Sequence, residues 1–165
     1  MPRIRLSPNL FGAVEIVRLI EASIGEDIDI DLDTPFELLG YETFDPDIDP
    51  IKMAVLDRHS RAIDAAFTTG LLYGLLQSET FGLGNLTDAE AKRKAIAHHT
   101  GIDTRLDLDA LLAPLGRGAD LRPVKRDILA RHEHAIEMAL DAGGALGAMP
   151  WKLLFEDVDD AGAGQ

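Results

Sequence analysis

His59 and His132 are the side chains in this sequence best placed by type and spacing to do chemistry. Each follows an arginine, Arg58 or Arg131, and each lies seven residues after a lysine, Lys52 or Lys125. Small residues then recur at every fourth position: Ala62, Ala66, Gly70 and Gly74 after the first histidine, Ala135, Ala139, Gly143 and Gly147 after the second. Residues four apart share one face of a helix, so each histidine heads a stripe of minimal side chains. Two helices carrying such stripes could hold a flat macrocycle such as haem, with imidazoles as axial ligands and glycines making room. The lysines would then meet propionates or another anion. The structural reading of the same residues is helix packing: small residues spaced by four let two helix backbones approach closely. The histidines would then hydrogen-bond a neighbouring loop, with Asp47 or Asp120 as candidate partners. Packing is the expected role, because glycine costs about 1 kcal/mol relative to alanine inside a helix and close approach is the usual compensation.

The parallel between the two histidines extends over much of the chain. Residues 47–74 and 120–147 align without a gap at an offset of 73, and eleven of the 28 pairs are identical, from Asp47/Asp120 to Gly74/Gly147. Chance would give about two. Upstream, residues 9–40 match 85–116 at an offset of 76, with Gly25/Gly101, Asp31/Asp107, Asp33/Asp109 and Gly40/Gly116 among the identities. The change of offset marks a three-residue deletion between Gly116 and Asp120. Two units are therefore expected, residues 1–80 and 81–150, followed by residues 151–165, an apolar segment and an acidic tail. Two copies are too few for a solenoid. The expected fold is all-α, about six helices in two pseudo-symmetric three-helix units sharing one core, with the long helices crossing through the Ala/Gly stripes.

Each unit reads as helix, irregular acidic segment, short helix, long helix. Ser7-Pro8 opens the first helix and Gly25 ends it. Thr87-Asp88-Ala89-Glu90 is a capping-box pattern for its counterpart, which Gly101 stops. Thr34-Pro35 opens a short helix that Gly40 closes. Pro50 and Pro123 stand in the first turns of the long helices, which are expected to reach about Leu76 and Gly147. Asp27-Ile-Asp-Ile-Asp-Leu-Asp33 has aspartates at alternate positions, as a calcium loop would. An EF-hand needs glycine sixth and glutamate twelfth, and here those positions hold Leu32 and Leu38. The expected role of Asp31 and Asp33, which recur as Asp107 and Asp109, is to cap the short helix that follows.

Other chemistry finds little support. There is no cysteine, hence no thiol nucleophile and no cysteine-based zinc site. Asp64 and Glu137 stand five residues after the histidines, the wrong spacing for an HExxH zinc site. No Gly-rich phosphate loop and no Ser/His/Asp set stands out, so an enzyme is not the expected reading, and no metal ligand set is assigned. The net charge is −13. It argues against nucleic acid and anionic membrane as partners, because both require clustered Lys and Arg. Residues 1–80 hold 6 basic and 15 acidic side chains, so most of the negative charge, −9, lies there. No signal peptide or apolar span is evident, so a cytoplasmic location is expected. The expected function is a non-catalytic protein-interaction or assembly module, with a protein partner or self-association. The alternatives are a haem, metal or small-ligand carrier using His59 and His132, and an acidic inhibitor that mimics nucleic acid.

Overall fold

The protein is described from a computed structural model, which covers residues 30–76, 86–115 and 120–148, together with Arg18 and Glu21. The helix expected from Ser7 to Gly25, the aspartates before Ile30 and the segment from Met149 onward lie outside the described residues, apart from Arg18 and Glu21, which are helical. Within the described residues the chain is all helical, without strands. The elements are α1 (Asp33–Leu38), α2 (Asp49–Leu75), α3 (Ala89–Thr100), α4 (Leu108–Leu112), extended by a 3-10 turn (Ala113–Leu115), and α5 (Arg122–Gly147).

Local chemistry sets these boundaries. Pro50 and Pro123 occupy the first turns of α2 and α5, where a missing N–H costs nothing. Gly40 (φ +93°) follows α1 and Gly101 (φ +73°) caps α3, both in the left-handed conformation that glycine adopts without strain. The start of α3 differs from the capping-box expectation. Asp88, one residue beyond Thr87, is the N-cap, and its carboxylate accepts from the Ala91 amide at 2.7 Å. Asp88 therefore takes up one of the unpaired donors of the first turn by itself. Asp88→Ala is expected to lower stability by about 1 kcal/mol, measured by urea denaturation.

The two long helices form the centre of the molecule, and they run parallel. Gly70 lies against Leu140, Gly143 and Gly144; Gly74 lies against Gly144, Gly147 and Ala148. From the other side, Gly143 meets Phe67, Gly70 and Leu71, and Gly147 meets Leu71 and Gly74. His59 meets His132 in the same register. Parallel neighbours cannot be joined by a tight turn, so the chain between Leu75 and Arg122 must return the full length of α2, and it carries α3 and α4 on the way.

Two apolar clusters flank this axis. One, at the glycine end, contains Ile63, Ala66, Phe67, Leu71, Ala135, Ala139, Leu140 and Ile96 of α3. The other, at the proline end, contains Leu32, Phe36, Ile48, Ile51, Val55, Leu106, Leu108, Leu112, Val124 and Ile128. Along α2 the order is Val55, His59, Ile63, and along α5 it is Ile128, His132, Ala135, so the histidines stand where the clusters meet.

Candidate functional site

His59 and His132 are both buried, 4% and 2% exposed. Their Nδ1 atoms lie 2.9 Å apart, and the tilted rings have centroids 5.1 Å apart. His132 Nε2 is 2.7 Å from the backbone carbonyl oxygen of Thr104, in the segment between α3 and α4. A carbonyl only accepts, so His132 Nε2–H is the donor there. In neutral His132 the Nδ1 atom is then bare and accepts, and His59 Nδ1–H donates to it. Burial pushes the His132 imidazole below its ordinary basicity, partly offset by the Thr104 carbonyl and the Glu133 carboxylate. Both nitrogens of His132 are therefore occupied by the protein itself.

This arrangement does not leave space for an axially ligated haem between the rings. Two imidazole nitrogens bound on opposite sides of a metal stand about 4 Å apart, twice a metal–nitrogen bond of about 2 Å. The observed 2.9 Å is a hydrogen-bond distance. The glycines that would make room for a macrocycle are occupied by the backbone of the opposing helix. Among the described residues no group of three or more His, Asp or Glu side chains is placed to hold a metal ion.

The lysines are likewise engaged. Lys52, 7% exposed, donates to Asp33 Oδ1 at 2.8 Å and to the Thr43 carbonyl at 3.2 Å. Lys125 donates to Asp109 Oδ1 at 2.6 Å and is more open to solvent. The aspartates of the acidic segment thus divide the work between them. Asp31 accepts from the Asp33 and Thr34 amides and the Thr34 hydroxyl, and Asp107 accepts from the Ala110 amide, so these two secure the starts of α1 and α4. Asp33 and Asp109 instead tie those short helices to the long ones. Capping by all four was the expectation; Asp33 and Asp109 differ because each lies within its helix, with its carboxylate aimed at a lysine.

Arg58 and Arg131 do not join the histidines. Arg58 is exposed and lines a shallow groove with Arg61, Asp103, Arg105 and Asp107. Arg131 is also exposed and pairs with Asp127 one turn earlier on α5. Asp47 and Asp120 do not reach the histidines either. Asp120 pairs with Arg122, and the Asp47 amide is bound by Asp45. Ala62, Ala66, Ala135 and Ala139 are buried at 0–1% exposure, and Gly70, Gly74, Gly143 and Gly147 are buried with them.

A groove of about 590 Å³ opens beside His132, between α3, residues 104–106 and α5. Thr104, Leu106, Leu129 and Ile136 contribute to its lining, and Lys92, Arg93, Arg105, Glu133 and Glu137 bring charges of both signs. Lys92 is held by Glu137 at 2.6 Å and Arg105 by Asp103 at 2.9 Å. Sequence reasoning missed this groove, because it forms from three segments whose meeting no local motif signals. His98 and His99, in the last turn of α3, meet edge to face, and His99 meets Tyr73 of α2 in the same way.

Comparison with family models, with curated proteins and with solved structures returned no match for this chain. Among the described residues no helix is long and apolar enough to cross a membrane.

Proposed function

We propose that this protein is a non-catalytic assembly module, a helical scaffold whose two units hold each other in a fixed register and present their outer surfaces to a partner. One observation carries this reading. The chemically capable side chains at the heart of the repeat are spent inside the molecule: His132 on His59 and Thr104, Lys52 on Asp33 and Thr43, Lys125 on Asp109. Among the described residues no buried side-chain nitrogen or oxygen is left without a partner. A catalytic or ligand site normally keeps convergent polar groups directed into a pocket. Here the groups are turned towards the protein itself.

The same reading takes the two units as a tandem duplication related by a pseudo-two-fold axis. The constant offset of 73 between partners across the interface supports it, since His59 meets His132 and Gly70 meets Gly143. The net charge of −13 favours a basic partner.

The test is affinity capture from the native source, with an absorption spectrum and metal analysis of the purified protein. The expected result is a stoichiometric protein partner, or a defined oligomer by light scattering, and a colourless protein. A stoichiometric chromophore or metal lost on His59→Ala would instead establish the carrier reading and overturn this one.

A further inference from the structure

The surface around α1 and the start of α2 joins two features. The first is exposed apolar area: Leu38 is 84% exposed, Phe44 86% and Met53 70%. Isolated exposed apolar side chains are ordinary, whereas a group of them marks an interaction surface. These three belong to one end of the molecule. Glu37 accepts from the Thr43 hydroxyl at 2.5 Å, and the Thr43 carbonyl accepts from Lys52 at 3.2 Å. Leu38, Phe44 and Met53 each directly follow one of those contacting residues, and Leu56, 41% exposed, lies three residues further along α2.

The second feature is charge. Between Ile30 and Asp57 the chain carries eight carboxylates, Asp31, Asp33, Glu37, Glu42, Asp45, Asp47, Asp49 and Asp57, against one lysine. That lysine, Lys52, is buried and spent on Asp33, and Asp57 pairs with Arg61. The other six carboxylates have no ion pair among the described residues.

The sequence supplies its own control. At the aligned positions of the second unit, Leu38 becomes Pro114 and Met53 becomes Arg126, both exposed. The second unit forms its short and long helices without those apolar side chains, so the fold does not require them.

We infer that Leu38, Phe44, Met53 and Leu56 together make up one docking surface for a partner's amphipathic helix with a Lys/Arg-rich polar side. Its apolar stripe covers the exposed side chains while its cations meet the surrounding carboxylates, the pairing that lets a helix seat in an acidic, apolar site. A second copy of this chain is a poorer occupant, because two such faces would bring like charges together. The inference rests on the assembly reading above and specifies its partner.

The test uses the full chain and three labelled synthetic peptides: an 18-residue amphipathic helix of leucine and lysine, its leucine/glutamate counterpart, and an 18-residue lysine homopolymer. The wild-type protein is expected to bind the leucine/lysine helix at least tenfold more tightly than either control. The variant Phe44→Ser/Met53→Ser, exposed at both positions and checked by circular dichroism for unchanged melting, is expected to lose at least tenfold of that affinity. Equal binding by the variant, or equal binding of the lysine homopolymer, would overturn the docking face and leave only diffuse charge attraction. A wild-type dimer that becomes monomeric in the variant would reassign the face to self-association and overturn it as well. Either failure leaves the assembly reading standing if affinity capture yields a stoichiometric partner that still binds the variant.

Discussion

Gly143→Ala is expected to destabilise the protein, although the same change at an open helical site stabilises by about 1 kcal/mol. A Cβ at position 143 would lie well inside contact distance of the Phe67 carbonyl oxygen, 3.0 Å from the Leu71 amide nitrogen and 3.1 Å from the Gly70 Cα. All three belong to backbone, so no side chain can rotate away and α2 must move. Overpacking of this kind costs about 1–3 kcal/mol, and the movement also loosens the neighbouring contacts at Gly70 and Gly147. The hydrogen that the Cβ replaces points at the Phe67 carbonyl, and such contacts contribute about 0.5–1 kcal/mol each. The expected net loss is about 2 kcal/mol for alanine and several for Gly143→Leu or Gly70→Leu, read as a fall in melting temperature of about 2–4 °C per kcal/mol. Alanine at 143 raising the melting temperature would show that the helices do not meet at this distance.

Replacing one histidine of the pair is the second large effect. His132→Leu removes two buried hydrogen bonds, the one to the Thr104 carbonyl and the one between the two Nδ1 atoms. The buried Thr104 carbonyl left unsatisfied costs about 1–3 kcal/mol and the lost imidazole contact adds to it, so a loss of about 3 kcal/mol is expected. In His59→Leu/His132→Leu the Nδ1–Nδ1 contact disappears from both sides at once. The double variant is therefore expected to lose less than the sum of the singles, by about 1 kcal/mol or more. Strict additivity by urea denaturation would mean that the two imidazoles do not interact.

Acid provides an independent reading of the same pair. The folded-state basicity of His132 is held below its unfolded value of 6.5, burial being the larger cause. The unfolded chain therefore takes up the proton first. Stability is fully present above 6.5 and is lost as pH falls below it, at up to about 1.4 kcal/mol per pH unit for one group. Protonation of His132 at Nδ1 would also set that N–H against the Nδ1–H of His59 between two apolar clusters. His99, whose basicity is lowered by burial and by His98, adds to the slope with the same sign. The exposed aspartates held low by hydrogen bonds, Asp31, Asp103 and Asp120, respond only below 3.8. His132→Leu is accordingly expected to flatten the slope of stability between pH 6.5 and 5 without abolishing it. A slope unchanged in the variant would show that His132 takes up its proton over the same pH range in the folded and unfolded chain.

Part of this site is legible in the amino-acid sequence. The small-residue spacing from Ala62 to Gly74 named the faces of the long helices, because a period of four is a property of one helix alone. Pro50, Pro123, Gly40 and Gly101 marked ends for the same reason, since each acts on its own backbone. Asp88 displaced Thr87 as the cap because the two candidates are adjacent and only the dihedral angles of the turn choose between them. The two histidines stand out in the sequence as a matched pair expected to bond a neighbouring loop; that they bond each other, with only His132 reaching a loop carbonyl, depends on the gap between two helices, which residue type and spacing do not reveal.

The sequence by itself determined the helical periods, their caps, the matched residues and the concentration of acid in the first half. These follow from interactions within a few residues or from composition. The tertiary structure decided the rest. It set the parallel register that brings His59 to His132, turned Asp33 and Asp109 towards lysines, closed the glycine stripes against backbone and left Leu38, Phe44 and Met53 uncovered. Each of these is a distance between segments remote in sequence, and it is fixed by how two surfaces fit rather than by what either surface contains.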